Sequence, residues 1–529
     1  MWDAKSYLPT PLLDPVLDES QGGFRWGSEE QVYVLTETLR LRQDLPTFCA
    51  FVDVKKAFDV AWRDGVLSSL AAAGVTGLLW SVLADLLDNT VSRARINGQL
   101  SEEWSDAEGV RQGSVLGPLL FNLLFNGAAT AVRAACPGVP LSSVPDSPQV
   151  TLLMYADDVV ILAASRREKK TVLMPWESQP VPFVSSYRYL GVVFQSSGSW
   201  RKHVEHVCGR GRRRFFQFIA WAENRQLHTG FRVSLFRSYV LPSVLFGSEF
   251  LDPSSIQQLD QRYRQWGRML LHWPSGSPSS AVLGELGWWP AGVHAQERAS
   301  GLFARLSRAS ASQGRRQLCA RVFQHARVTA ISWAYGVARA ITSSGIPLPS
   351  EWGIGQGTPA AVAHAWRRCA ARPMLHGAAQ RAYQADVSAS VSLQAFSRYQ
   401  PRLSMNRLVF CASVRAEDAR EWTLARCGHH SLSDGRSVRH LGVTQPCLCG
   451  HSHCTLLHVL RSCPLFSDLR SAWESVAQTI TGTAPSGLED GAFLELIFAA
   501  SGLWGAPGLV RANIRMVSSM MRRHREYLA

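Results

Sequence analysis

The sequence holds no apolar run near the roughly 20 residues needed to cross a bilayer, so a helical membrane protein is not expected. It has no apolar leader either. Met1-Trp2-Asp3-Ala4-Lys5 runs on to prolines, and no secretory signal is expected. Cysteine is sparse, 11 in 529 residues, which excludes a disulfide scaffold. Cys49, Cys136, Cys208, Cys319, Cys369 and Cys411 are scattered and read as reduced, mostly buried thiols. Charged residues are 18% of the chain, below the usual level of about 25%, which excludes a solvated disordered chain. Acidic residues are the scarcer kind, 41 against 55 Lys and Arg, for a net charge of +14. That balance points to a polyanionic partner. With neither a signal peptide nor a membrane span expected, the protein reads as intracellular, with the nucleus one candidate compartment. Nearly all the bases are arginine, whose planar fork holds phosphate through two bonds.

What is present is a large apolar complement, 46%, enough for the three or four units expected from a prior of about 150 residues per domain. Residues 1–28 read as an irregular lead-in and 29–42 as a helix. Thr47-Phe-Cys-Ala-Phe-Val-Asp-Val54 is short, apolar and partly β-branched, which predicts a buried strand. Residues 63–88 predict two helices divided at Gly74 and Gly77. Residues 91–98 and 104–110 predict two short strands around a Gly98 turn, and 114–135 one apolar helix. Residues 150–164 predict a strand, a Tyr-Ala-Asp-Asp turn and a second strand. Helices interleaved with strands indicate an α+β fold, and beyond about residue 200 the strand signals fade into helix.

Asp53 sits inside an apolar strand, and Asp157 and Asp158 sit at a hairpin tip. A carboxylate beside a dry strand is costly unless it is paired or binds a cation. If the strand lies next to the hairpin, three carboxylates meet at one sheet edge, an oxygen set that suits Mg²⁺. The alternative is that Asp-Asp is only a turn pair, for which Asp is common.

Four motifs follow in order: Phe51-Val-Asp-Val-Lys-Lys-Ala-Phe-Asp59, Gly109-Val-Arg-Gln-Gly-Ser-Val-Leu-Gly-Pro118, Tyr155-Ala-Asp-Asp158 and Tyr189-Leu-Gly-Val192. Together they resemble the palm motifs of reverse transcriptases from non-LTR (LINE-type) retrotransposons. Gln21-Gly-Gly-Phe-Arg25 resembles the preceding fingers motif. The resemblance covers about residues 20–250, with a further match near 447–464. It implies a right-hand polymerase, with an antiparallel palm sheet, fingers, and a mainly α-helical thumb and C-terminal region bearing a small zinc knuckle. It implies two Mg²⁺ ions held by Asp53, Asp157 and Asp158, with the Val54 carbonyl completing the shell. Phe58 matches the position that rejects ribonucleotides by clash with the 2′ substituent; the other reading is a core aromatic. Gln112 and Gly113 would pass close to the incoming dNTP and the template, or simply form a loop before a helix. Arg25 would contact substrate. RNA template and DNA primer are the implied partners.

Two departures from the family pattern stand out. Further fingers segments have no counterpart in residues 1–20. A palm helix between the Asp-Asp hairpin and Tyr189 is replaced by a short stretch containing Lys169, Lys170, Pro175, Pro180 and Pro182. Three prolines so close predict an irregular crossover over 175–186 and a palm face left partly uncovered. The chain therefore reads as a truncated, internally deleted copy. Arg201, Lys202, Arg210, Arg212, Arg213, Arg214, Arg225, Arg232 and Arg237 face only Glu205 and Glu223, which predicts either a thumb on nucleic-acid phosphates or a solvated basic face. Cys447, Cys449, His458 and Cys463 offer three thiols and an imidazole, a closed zinc set. Cys447 and Cys449 are one residue closer than the usual hook, so Cys454, His451 and His453 stand as alternative ligands. The expected division is 1–200 fingers remnant and palm, 201–300 thumb, 301–440 helical connection, 441–470 knuckle and 471–529 C-terminal helices. Three readings remain: an RNA-directed DNA polymerase, an inactive derivative binding RNA or DNA through thumb and knuckle, or a helical interaction protein with an inert palm.

Overall fold

The computed structural model describes residues 16–25, 27–88, 90–105, 108–165, 182–311, 317–343, 371–390, 393–430, 432, 434–435, 446–499 and 505–528. Lys169, Lys170, Pro175 and Pro180, and with them most of the expected crossover, lie outside this set. The chain forms two compact units, each discontinuous in sequence: residues 1–203 with 298–371, and residues 204–297 with 372–529.

The first unit begins with helix α1, Ser28–Leu41, preceded by Gly27 and carrying Glu29 and Glu30 in its first turn, where carboxylates oppose the positive helix end. Strand β1 is Phe48–Asp53. Helices α2, Arg63–Ala72, and α3, Gly77–Leu87, are separated at Gly74, which takes a left-handed backbone. Four two-residue strands then nest as a ribbon. β2, Val91–Ser92, pairs with β5, Trp104–Ser105, and β3, Arg95–Ile96, pairs with β4, Gln99–Leu100, around Asn97-Gly98. Helix α4, Gly117–Ala135, starts three residues later than its apolar pattern, with Pro118 in its first turn.

β6, Val139–Pro140, pairs with β7, Gln149–Val150. The palm sheet joins β1 to β9, Asp158–Ala163, and β9 to β8, Leu152–Tyr155, all antiparallel. β10, Ser186–Tyr189, and β11, Val192–Gln195, form a further hairpin. Side chains alternate across the sheet. Ala50, Val52, Val159, Ile161, Leu152 and Met154 pack with Ala129 and Val132 of α4. On the other face Leu153, Val160 and Leu162 are fully buried, and Phe51 stacks on Tyr187 of β10 at 4.3 Å. The expected partly uncovered palm face is thus corrected. Among the described residues both faces are buried: α1 packs against β8, and Tyr187 of the β10–β11 hairpin covers Phe51 of β1.

α1 is buried along nearly its whole length and packs against helix Gln317–Ala326. Tyr33 meets Phe323 and Trp333. The Glu37 carboxylate accepts the Trp333 backbone N–H at 3.0 Å, closing the N-terminus of helix Trp333–Ser343.

Among the described residues no strand follows Gln195. The second unit is helical, with a core in which Phe236 and Tyr263 stack on Trp288 at 4.5 and 4.6 Å. Its fully buried Arg426 lies 3.4 Å from buried Glu285, between the rings of Trp422 and Phe396. Helix α5, Arg201–Asn224, supplies Phe215 and Phe218 to that core.

Candidate metal centres and nucleic-acid interface

The strand register sets Asp53 of β1 directly opposite Asp158 of β9, and Tyr155 of β8 opposite Asp158 as well. Residues facing each other in an antiparallel pair have Cβ atoms about 5 Å apart, and like charges there repel. Asp157 is the second residue of the two-residue turn joining β8 to β9. Its neighbour Ala156 has a positive φ of 56°. Asp53 is exposed, and Asp157 and Asp158 are half-buried. Burial first, then Asp157 and Asp53, raise the Asp158 carboxyl above its ordinary range, while Arg188 opposes the shift. The hydroxyls of Tyr187 and Tyr189 are raised by burial and then by Asp158. The Tyr189 hydroxyl is buried without a hydrogen-bond partner.

Around this edge the structure places the remaining expected residues as follows. Val54 continues β1 and packs on the cluster formed by α2, α3 and α4. The Phe58 ring stacks on Phe121 of α4 at 4.7 Å and meets Phe24 edge-on at 6.1 Å. The loop before α4 is tied to the same turn: Val110 N–H donates to Phe58 O, and Gly109 N–H to Ala61 O. Gly109 has φ 87°, and a Cβ there would lie 2.6 Å from Asp59 O, so only glycine fits. The Gln112 amide donates to Asp59 at 3.0 Å, and the space around Gly113 is open. One Arg25 amino group donates to the carbonyls of Asp18 and Gln21, so this side chain also ties its own loop.

Sequence reasoning missed a set of buried amides. Gln21 and Asn122 are 1% and 2% exposed, and both bond to backbone near the acidic turn. Neutral amides carry no periodic or charge signal; only the proximity of Gln21 to the Gly-Phe-Arg motif hinted at it.

In the second unit Cys447, Cys449, His458 and Cys463 have their ligand atoms all within 4.8 Å of one another. The Cys447 and Cys463 sulfurs are 3.7 Å apart, and a tetrahedral zinc with bonds near 2.3 Å separates two sulfurs by about 3.8 Å. Cys449 Sγ is 3.2 Å from His458 Nε2. Contacts of that length suit a shared ion. The close Cys447–Cys449 spacing is accommodated by a tight turn in which Gly450 N–H donates to Cys447 O and Cys447 N–H to His451 O. Thr455 caps the helix carrying His458, and Ser462 Oγ lies 3.1 Å from His458 Nδ1, an outer contact that leaves Nε2 for a metal. Burial, then His451 and Arg470, lower the His458 pKa, which favours the neutral ligand form. Cys454 falls outside the four and contacts His524 at 3.4 Å.

Along α5 and just beyond it, Arg210, Arg214 and Arg225 recur at helical spacing with exposed Trp221. Arg225 lies over Trp221 at 4.6 Å, Arg214 over Tyr239 at 5.2 Å and Arg212 over Phe216 at 5.8 Å. Among the described residues Arg210, Arg212, Arg213, Arg214 and Arg225 enter no ion pair. Arg214 also donates to the Tyr239 carbonyl at 3.2 Å. Arg232 pairs with Glu223 at 3.7 Å and donates to Leu227 O, and Arg237 donates to the carbonyls of Leu286 and Gly287.

Residues 7–178 match the reverse transcriptase (RNA-dependent DNA polymerase) family. The chain is 31% identical over 154 residues to the probable RNA-directed DNA polymerase from transposon BS of Drosophila melanogaster, covering 28% of this chain and 16% of that protein. It is 23% identical over 311 residues to the RNA-directed DNA polymerase from mobile element jockey of the same organism, covering 46% and 33%. It is 19% identical over 264 residues to the Pol polyprotein from the type-1 retrotransposable element R2 of Popillia japonica, covering 42% of each. The chain spans less than half the length of each of these relatives. No described helix is long and apolar enough to cross a membrane. The motif order, the antiparallel sheet that carries it and these likenesses agree that the chain contains a reverse transcriptase domain of the non-LTR retrotransposon type.

Proposed function

We propose that the chain is an RNA-directed DNA polymerase that extends a DNA primer with dNTPs along an RNA template, with Asp53, Asp157 and Asp158 as its metal-holding carboxylates. The observation that carries this reading is the opposition of Asp53 and Asp158 at the ends of two paired strands, with Asp157 beside them. Like charges so placed destabilise a sheet unless a cation offsets them, and a crowded oxygen set fits Mg²⁺. When bound, two Mg²⁺ ions would activate the primer 3′-OH and stabilise the charge of the departing pyrophosphate.

The chain's own residues position and select. Val54 offers a carbonyl next to Asp53. The Phe58 ring, braced by Phe121, limits the space at the sugar and so excludes a 2′-hydroxyl. Gln112, held by Asp59, and the open Gly113 border the nucleotide and template. Arg25 steadies the loop at the sheet end. The arginines of α5 act as a thumb, holding backbone phosphates without reading sequence. Cys447, Cys449, His458 and Cys463 hold a structural zinc, and their short S···S and S···N contacts support that assignment.

A second reading has its own support. The arginines of α5 and the Cys/His set do not depend on the acidic edge, so a catalytically inactive chain would still bind RNA or DNA. Primer extension on a homopolymer RNA template decides between them. Mg²⁺-dependent dNTP incorporation by the purified chain is expected. Salt-dependent RNA binding without incorporation assigns the second reading.

A further inference from the structure

We propose that Gln21 is the positioning residue of the acidic turn, a role that rests on the reading of Asp157 and Asp158 as metal ligands. The turn has a physical problem. A two-residue hairpin turn with positive φ at its first position favours glycine there, yet this chain has Ala156 at φ 56°. An L-residue in that region costs about 1 kcal/mol and persists where its surroundings hold it.

Gln21 supplies the hold. Its Oε1 accepts the Ala156 N–H at 2.9 Å, and its Nε2 donates to Ala156 O at 3.4 Å, so the carboxamide pairs with Ala156 as a strand neighbour would. The same Oε1 accepts the Gly23 N–H at 2.9 Å. Gly23 lies against the turn so closely that a Cβ there would sit 2.3 Å from Ala156 N.

This contact is itself fixed from three sides. Asn122 of α4 donates to Gly23 O at 2.8 Å. Gly22 N–H donates to Met154 O at 2.7 Å, and Met154 N–H to Ser20 O at 2.9 Å. Gln31 of α1 donates to Ser20 O and to Met154 O, both at 2.7 Å. The segment 20–23 is therefore a bracket between α1, α4 and the turn. The peptide that Gln21 grips leads directly into Asp157. Loss of the grip frees Ala156 to relax, and Asp157 moves with it. Residues that orient metal ligands from outside typically carry about 10–100-fold in metal affinity.

The test uses the full chain with Gln21→Met, which keeps the side-chain length and removes all three of its bonds. Mn²⁺ binding by electron paramagnetic resonance is read beside amide hydrogen exchange of the 155–158 segment, with Asp157→Asn as the reference for site-specific Mn²⁺. Gln21→Met is expected to raise the Mn²⁺ concentration for half-saturation about tenfold and to speed exchange at the turn. The control is Asn126→Ala. Asn126 ties Val16 and Asp18 to α4 but does not touch the turn, so its loss should lower Tm and leave both readouts unchanged. Unaltered Mn²⁺ binding and exchange in Gln21→Met overturns the proposal, as does an equal Mn²⁺ shift in Asn126→Ala. If the wild-type chain shows no Asp157-dependent Mn²⁺ signal, the metal reading fails. The exchange comparison then still decides whether Gln21 holds the turn.

Discussion

Asp53 and Asp158 stand about a hundred residues apart in sequence and meet only because β1 pairs with β9. Cys447 and Cys463 are sixteen residues apart and meet through one turn and one short helix. The acidic edge is held by a sheet with its own buried core, and one of its carboxylates is exposed. The Cys/His set is part of the core, with Cys447, His458 and Cys463 buried and Cys449 half-buried. An open oxygen set on a preformed scaffold is suited to an ion that must meet substrate. A closed sulfur set inside a core is suited to an ion that holds the fold. Metal removal should therefore act on the two units in different ways: activity in the first, stability in the second.

The largest expected effect sharpens that contrast. Chelation of zinc, or Cys463→Ser, should abolish the cooperative melting of the unit that contains the knuckle, since structural zinc sites contribute on the order of 10 kcal/mol. Calorimetry with and without a chelator checks this. An unchanged melting profile in Cys463→Ser would contradict a zinc-dependent core.

Glu37 tests whether pH acts on the first unit away from its acidic edge. Burial raises this carboxyl to about 7, against the lowering effects of Arg40 and of the N–H groups of Trp333 and Ala334. The folded state thus holds a proton that the unfolded state releases near pH 4.5. Stability contributed by that proton is complete below about 4.5 and falls as pH rises to about 7, by about 3 kcal/mol in all. Tm of the wild-type chain should decline across that window. Glu37→Gln, which keeps an acceptor for Trp333 N–H, should flatten the decline.

The basic helix gives a smaller effect. Arg210, Arg214 and Arg225 changed together to Ala should reduce the slope of log affinity against log salt by roughly 3 for duplex and somewhat less for single strands, about one per lost phosphate contact. Changing Arg237, which is held by Leu286 and Gly287 carbonyls, should lower stability and leave the slope intact. The smallest effect is the most pointed for the comparison. Asp158 is raised by burial and by its like-charged neighbours, so its ionised form weakens the metal-free fold. Asp158→Asn should slightly raise Tm in chelator at neutral pH, whereas loss of a knuckle cysteine lowers it.

Much of the local structure was legible because it rests on short-range chemistry. The helix expected over 29–42 spans 28–41, and the strand expected over 47–54 spans 48–53. The division at Gly74 and the hairpin around Tyr155-Ala156-Asp157-Asp158 follow from turn residues between apolar runs. The ribbon over 91–105 was legible only in part, since two nested pairs occupy the space of two longer strands. Coverage of the second palm face was misread because it depends on partners distant in sequence, including α1 against β8 and Tyr187 on Phe51, that no local pattern announces. The amide bracket was invisible for the same reason: Gln21 meets Ala156 across 135 residues. The meeting of Asp53 with the Asp157-Asp158 turn was legible because carboxylates among apolar residues need a reason to be there.

The central claim, that the acidic edge is a polymerase metal site, is tested most directly by Asp157→Asn in Mg²⁺-dependent primer extension, with RNA binding measured on the same preparation. The account predicts an active wild-type chain, a loss of extension of about a thousandfold or more, as removal of several kcal/mol of transition-state stabilisation implies, and RNA affinity within a few-fold of wild type. Extension at wild-type rate by Asp157→Asn would contradict it.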